Sequence, residues 1–343
     1  MTNEFNMSSL GYAYGEPKSH AKLKFDAEDF CVEEQLAFSL SGEGEHLWLW
    51  VEKTGQNTDW VVKQLANFIG LTTREIGVAG KKDRHAVTLQ WMSCHLPGKA
   101  DPDFSQFSVA GVKILKAIRH HRKLQTGGLS GNRFSIRLRG LKVEAAELEN
   151  RLKQVVEQGV PNYFGEQRFG HDMQNLQQAS RLFAGEIRPK RHQKSLYLSA
   201  ARSWLFNLEL SERIRQGNWN QAIEGDVFQL DGSQKCFMEI LDAQIKQRVA
   251  QFDIHPTGLM SGRGSLMSAG QIAELEQQLM ADFPLWQKGL ETFGLKQERR
   301  ALRVMPQKMT WQWEEDEQLI LNFGLPAGSY ATMVIRELVL ADV

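Results

Sequence analysis

Few residues in this chain could do chemistry, and the clearest gather in Gly77-Val78-Ala79-Gly80-Lys81-Lys82-Asp83-Arg84-His85-Ala86-Val87-Thr88. A run of small residues ends in a tight loop that carries a single carboxylate, Asp83, among Lys81, Lys82, Arg84 and His85. Nearby positive charge favours the ionised form of a carboxylate. An ionised Asp at a loop tip can serve as nucleophile or base, and loops held by rigid strands are where chemistry concentrates. The same residues also fit a solvated turn whose surface ion pairs contribute little. The rest of the chain has to choose between these readings.

Other chemistries lack their signatures. Cys31, Cys94 and Cys236 are far apart and odd in number, which is neither a disulfide framework nor a zinc pattern. Each falls in a strand-like or apolar run, so buried, reduced thiols are expected. His120-His121 and His171-Asp172 are isolated pairs, whereas metal sites need three or four groups. Gly262-Arg263-Gly264 follows no buried strand and reads as a turn rather than a phosphate loop. No Gly-x-Ser-x-Gly elbow is present. A two-carboxylate glycosidase stays open, because Glu34, Glu43 and Glu166 lie in or beside loops.

Basic residues are placed for a polyanion. Residues 113–139 hold eight of them, Lys113, Lys116, Arg119, Arg122, Lys123, Arg133, Arg137 and Arg139, and no acid. Such a block suits phosphate contacts, which set register and affinity. It equally suits an edge strand that discourages aggregation. A second cluster is Arg188, Lys190, Arg191 and Lys194. Formal net charge is zero, so a polyanion would be met by these patches and not by a global field. The aromatics Phe30, Phe134, Phe164 and Tyr330 stand near the patches, an arrangement that holds single-stranded or flipped bases.

The elements that must position these residues follow from periodicity. Short strands are expected at Lys22–Phe25 and Phe30–Glu34, and a buried one at Leu47–Val51. Thr58 or Asp59 should cap a helix over Trp60–Phe68, with Val61, Leu65 and Phe68 inward and Gly70 as its stop. A long strand, Val87–Leu96, leaves the Asp83 loop. Phe134, Ile136 and Leu138 alternate with Ser135, Arg137 and Arg139. Val143–Gln158 is an amphipathic helix. Helices then dominate: two between 172 and 216 broken around Pro189, the second from about Ser195, one after Asp242 and one over Gly270–Met280. Asp226–Leu230 is strand-like and Pro256–Gly264 reads as a loop. Strands return at Arg300–Met305, and a hairpin of Met309–Trp313 and Leu319–Phe323 turns at Glu315-Asp316. A last helix spans Tyr330–Leu338. Strands on both sides of a helical insert imply one sheet domain built from both ends of the chain. The expected division is 1–157 and 305–343 for that domain and 158–304 for the insert.

Several stretches together resemble the TruD family of tRNA pseudouridine synthases. They are Lys24…Asp29-Phe30…Val32-Glu33-Glu34, Ala79 to Thr88, Gly131-Asn132-Arg133-Phe134, Pro161 to Gly170, Ser199 to Asn207 and Leu325 to Thr332, in one order from about residue 20 to 338. The resemblance implies an α+β protein: a pseudouridine-synthase-type catalytic domain with a mainly antiparallel mixed sheet, plus an inserted helix-rich α/β TRUD domain. It implies isomerisation of uridine 13 of transfer RNA to pseudouridine, with no cofactor and no metal. It places the catalytic carboxylate at Asp83 and lines the uridine site with Phe30, Asn132 and Tyr330, with Phe134 beside them. Lys24 is a candidate to pair with Asp83 or a phosphate. Whether Asp83 attacks C1′ or removes the C2′ proton stays open. So does a rival without catalysis, a transfer-RNA binder or folding chaperone that uses the basic clusters alone.

Bulk features set the remaining expectations. The chain has 343 residues with 42% hydrophobic and 24% charged, an ordinary globular balance. Met1–Pro17 lacks both a basic start and an apolar core, so no signal peptide is expected. No apolar run approaches a membrane span. A cytoplasmic protein is the resulting expectation, and the resemblance implies transfer RNA as its partner.

Overall fold

The computed structural model describes residues 5–142, 145–314 and 317–342. In chain order the first elements are β1 (His20–Leu23), β2 (Phe30–Gln35), β3 (His46–Thr54), α1 (Thr58–Ile69), β4 (Ile76–Val78), β5 (Val87–His95), β6 (Val112–His120), β7 (Gly131–Lys142) and α2 (Ala145–Gln158). The middle holds β8 (Val160–Pro161), α3 (Gln174–Phe183), α4 (Arg191–Arg215), β9 (Val227–Leu230), β10 (Cys236–Met238), α5 (Ala243–Ala250), β11 (Ile254–Met260), α6 (Gly270–Asp282), α7 (Pro284–Thr292), β12 (Glu298–Ala301) and β13 (Arg303–Val304). The chain closes with β14 (Gln307–Glu314), β15 (Gln318–Pro326), α8 (Ala331–Leu338) and β16 (Leu340–Asp342).

Two compact units form. One comprises Lys18–Leu148, Pro306–Gly328 and Val339–Val343. It holds a ten-stranded sheet with the order β14-β15-β7-β2-β5-β3-β6, to which β1, β4 and β16 add. Pairing is antiparallel except for β2 with β5 and β1 with β16. Strict alternation in β2 and β7 buries Phe30, Val32 and Glu34 in one row and Phe134, Ile136 and Leu138 in the next. α1 lays Val61, Val62, Leu65 and Ala66 over Leu47, Leu49, Val51 and Met92 of β3 and β5. Each such buried aliphatic side chain contributes about 1.5–3 kcal/mol of transfer free energy. Gly70 ends α1 with φ 75°, the left-handed stop expected of it.

Some local expectations move. Asn57, not Thr58 or Asp59, precedes α1, because the Thr58 hydroxyl is taken by Gln90 and by the backbone of Lys82. Phe68 lies at the rim of α1 against Phe104 and Phe107 instead of in its buried stripe. β1 ends at Leu23, since Lys24 takes a left-handed φ of 59°. The start expected at Val143 and the turn expected at Glu315-Asp316 lie outside the described residues, although β14 and β15 pair as a hairpin should. Of the three cysteines only Cys94 is buried; Cys31 and Cys236 are partly exposed, and all three are free thiols.

The other unit comprises Met1–Pro17, Glu149–Met305 and Ser329–Leu338. Its core joins Trp204, Phe206, Leu210, Trp286 and Leu290 from the helices with Phe5 and Leu10 from the amino-terminal arm. α8 belongs here: Arg336 donates to the carbonyls of Leu10 and Gly11 and stacks on Tyr12. The break near Pro189 separates α3 from α4, which begins at Arg191 rather than Ser195. Of the loop expected at Pro256–Gly264, the first part to Met260 is instead β11, almost wholly buried between β9 and β12, and only 261–264 lie outside a strand. Gly258 explains the misreading. A Cβ there would meet Leu302 and Phe206 at 2.9 Å, so close packing demands a residue that normally marks a loop. α7 was not expected either, because Pro284 at its first turn reads as a breaker although it is tolerated there.

Candidate active site

The Asp83 loop runs between β4 and β5, and almost every polar group in it is committed. Lys82 N–H donates to Thr58 Oγ1 (3.0 Å). The Lys82 ammonium lies 2.6 Å from Glu34 Oε1. The other oxygen of that buried carboxylate accepts from Trp91 N–H at 2.8 Å. Burial pushes the Glu34 carboxyl up, and Lys82 opposes this. Arg84 Nε donates to Gly55 O (3.1 Å), Gly127 N–H to Ala79 O (2.9 Å), and Lys81 pairs with Asp59 in solvent. Lys53 Nζ donates to Asp83 O (2.8 Å) and Gln56 O (2.9 Å), and burial pulls its pKa down to about 8.

The Asp83 carboxylate itself is paired by none of its sequence neighbours' side chains. Its ion-pair partner is Lys24, brought from the end of β1, and His85 N–H donates to Oδ1 at 3.1 Å. The Lys24 ammonium also lies 4.5 Å from the centre of the Phe30 ring. Burial raises the Asp83 pKa, but the Lys24 hydrogen bond and charge, with the His85 N–H, outweigh it. The group is held below the usual carboxylate range. The Asp83 side chain is still 38% exposed, so a ligand can reach it. The arrangement is an ionised carboxylate on a braced loop, open to solvent on one side. Glu34, by contrast, is enclosed and paired, which removes it as a second glycosidase carboxylate; Glu43 and Glu166 are exposed.

Phe30 and Phe134 meet edge to face (6.2 Å), and Phe134 stacks on Phe323 (5.5 Å). Both are nearly buried, at 5% and 6% exposure. They form a wall of the sheet's packed face rather than free platforms. Asn132 stands two residues before Phe134 in the same inward row of β7, directly opposite Glu34 of β2. Its Oδ1 is buried with no hydrogen-bond partner among the described residues.

Tyr330 is carried by the helix-rich unit, at the entry to α8. Its seat is the Pro161–Gly170 segment. Arg168 Nε donates to Tyr330 Oη at 2.9 Å, and the Phe164 ring meets Tyr330 edge to face at 6.0 Å. Gly165 passes so close that a Cβ there would lie 3.1 Å from Tyr330. Arg300 stacks 4.0 Å over Phe164, and Asn207 clamps the Phe164 backbone from both sides.

Residue types alone did not single out Lys53 or Arg168. A lone Lys at the end of an apolar strand offers no periodic signal, and Arg168 was one of many arginines. The basic block at 113–139 is reinterpreted: Lys113, Arg119, Arg133, Arg137 and Arg139 pair with Glu52, Asp101, Glu33, Glu314 and Asp29 of the protein itself. Arg139 binds Asp29 with two bonds of 2.8 Å. Lys123 donates to a backbone carbonyl. Lys116 and Arg122 remain outside any ion pair among the described residues. Arg188, Lys190 and Arg191 stay exposed ahead of and at the start of α4. Among the described residues no group of three His, Cys, Asp or Glu could hold a metal ion, and no helix is long and apolar enough to cross a membrane.

Comparison with known proteins adds an independent line. The family model of tRNA pseudouridine synthase D (TruD) matches residues 6–181 and 173–338. A protein of Hydrogenovibrio crunogenus named tRNA pseudouridine synthase D is 58% identical over 339 residues, with 98% of each chain covered. One of Aeromonas salmonicida with the same name is 47% identical over 337 residues, covering 98% of this chain and 95% of the relative. A Methanosarcina mazei structure solved under the TruD name shares the fold, with a TM-score of 0.71, 22% identity and 95% of both chains covered. With a match along nearly its whole length and close relatives of the same name, the chain belongs to the tRNA pseudouridine synthase D (TruD) family.

Proposed function

We propose that the protein converts uridine to pseudouridine in transfer RNA, at uridine 13, with Asp83 as the reacting carboxylate. The observation that carries this is the Asp83 group itself: ionised by Lys24, solvent-accessible, and fixed on a loop braced from β2, β3 and α1. The reaction is an isomerisation. The N1–C1′ bond breaks, the uracil turns, C5 joins C1′, and the C5 proton is lost as N1 gains one, so no co-reactant enters. A carboxylate beside the ribose opens either route: attack on C1′ to form an ester, or removal of the C2′ proton to form a glycal. Both need the charged form of Asp83, which Lys24 supplies.

The base must leave its stack first, at a cost of a few kcal/mol. Contact with rings returns about 1–3 kcal/mol per base. Phe30 and Phe134, nearly buried, supply a wall and not a stacking face, and the Asn132 Oδ1, without a partner among the described residues, is an acceptor for an N–H such as N3–H of uracil. On the helix-rich unit, Tyr330 with Arg168 offers a ring and a cation to RNA. Exposed Arg188, Lys190 and Arg191, ahead of and at the start of α4, are cations available to RNA phosphates.

Asp83→Asn is the test. The purified variant is expected to bind transfer RNA like the wild type and to form no pseudouridine when the RNA is mapped base by base. Pseudouridine at the wild-type rate would end this reading. Binding with no pseudouridine even from the wild type would favour a transfer-RNA chaperone, and free uracil or strand breaks would favour a glycosidase or nuclease. New pseudouridine at another position would overturn uridine 13 alone.

A further inference from the structure

β3 ends in a lysine that the fold encloses completely. Lys53 shares the inward row of its strand with Leu47, Leu49 and Val51 and is 0% exposed. An aliphatic residue would fill that position without desolvating a charge, whereas an ammonium taken out of water needs compensation. Among the described residues no carboxylate pairs with it directly: the two acids of the neighbourhood, Asp83 and Glu34, are bonded to Lys24 and Lys82. What Lys53 holds is main chain. Its Nζ donates at once to Gln56 O in the turn leaving β3 and to Asp83 O in the loop entering β5. Arg84 ties the residue after Asp83 to that same turn through Gly55 O.

The geometry points to Lys53 as a positioning residue of the reaction: it clamps the Asp83 backbone to the end of β3, and so fixes where the Asp83 carboxylate stands. This rests on the reading of Asp83 as the reacting group. The carboxylate is then located from two ends, the side chain by Lys24 and the main chain by Lys53. Lys53 touches no substrate, because it lies beneath the loop with no exposed surface. Its effect on the reaction runs through the position and surroundings of Asp83, and a displacement of about 1 Å is enough to lose about 100-fold in rate. Nothing in the core under α1 depends on the ammonium, since its packing comes from Val61, Leu65, Leu49 and Met92.

The test compares Lys53→Met, Lys53→Gln and Asp83→Asn with the wild type in single-turnover and steady-state pseudouridine assays on transfer RNA, with RNA affinity and thermal midpoint measured alongside. Lys53→Met is expected to lower kcat about 10–100-fold, with KM, RNA affinity and midpoint near wild type. Lys53→Gln keeps an N–H donor and is expected to recover part of the lost kcat. A wild-type kcat in Lys53→Met, while Asp83→Asn is dead, overturns the positioning role. So does a lowered midpoint with unchanged kcat per folded molecule, which would make Lys53 a stability residue. If Lys53→Met does not fold, Lys53→Gln decides alone, and a wild-type kcat there overturns the proposal. Activity in Asp83→Asn would instead defeat the underlying reading.

Discussion

Asp83 sits in a run of four basic neighbours, yet three of their side chains are spent elsewhere: Lys81 on Asp59, Lys82 on Glu34, Arg84 on Gly55 O. Among the described residues Lys24 alone makes an ion pair with the carboxylate. This sorts the effects of mutation. A group whose folded pKa is depressed is charged above that pKa and loses its contribution as pH falls through it. The acid limb of kcat/KM should therefore lie below the ordinary Asp value of about 3.9. In Lys24→Met, burial is left with less to oppose it, and the limb should move to higher pH. Lys81→Met, which removes an exposed pair, should leave the limb in place and change stability by less than about 1 kcal/mol. Pseudouridine formation measured from about pH 3 to 7 on stable RNA checks both. An unmoved limb in Lys24→Met would show that Lys24 does not set the charge of Asp83.

At the scale of elements, the position of Asn132 depends on how β7 meets β15. Gly131 faces Pro326 across the ladder, and a Cβ on it would lie 2.3 Å from Leu325 O. With any larger residue there the two strands would have to shift. Gly131→Ala should cost about 1–3 kcal/mol through overpacking and should also lower kcat, because Asn132 moves with the strand. The thermal midpoint and kcat together check this; a loss in one only would separate stability from site geometry. The same physics marks where the sequence misled. Alternation made β2, β7 and β15 legible, since a buried row takes turns with a more exposed one along each. β11 was not legible, because both its faces are covered and its Pro256 and Gly258 look like punctuation.

Across the whole molecule, the helix-rich unit relies on a fully enclosed ion pair. Arg213 on α4 grips Asp226, with both side chains at 0% exposure, and Asn218 takes a further guanidinium bond of 2.6 Å. Asp226→Ala would leave that guanidinium uncompensated and should cost about 3–5 kcal/mol. Denaturant unfolding followed by tryptophan fluorescence, with Trp204, Trp219 and Trp286 in this core, gives the readout. A midpoint unchanged from wild type would show that the pair contributes little.

What the sequence determined by itself was the kind of chemistry and the kind of fold. One carboxylate in a cationic loop, strands before and after helices, and the family's stretches in register are local or ordered along the chain. Local propensity and pattern therefore reveal them. The tertiary structure decided the partnerships. Lys24 and Asp83 are 59 residues apart, and Lys53 reaches Asp83 across 30. Phe134 is wall rather than platform, as its place in the row of Ile136 and Leu138 already implied, and Phe30 joins it there. Much of the basic strip became internal ion pairs once the sheet brought its acids alongside. Which charge meets which is set by register and burial, and a one-dimensional pattern does not contain them.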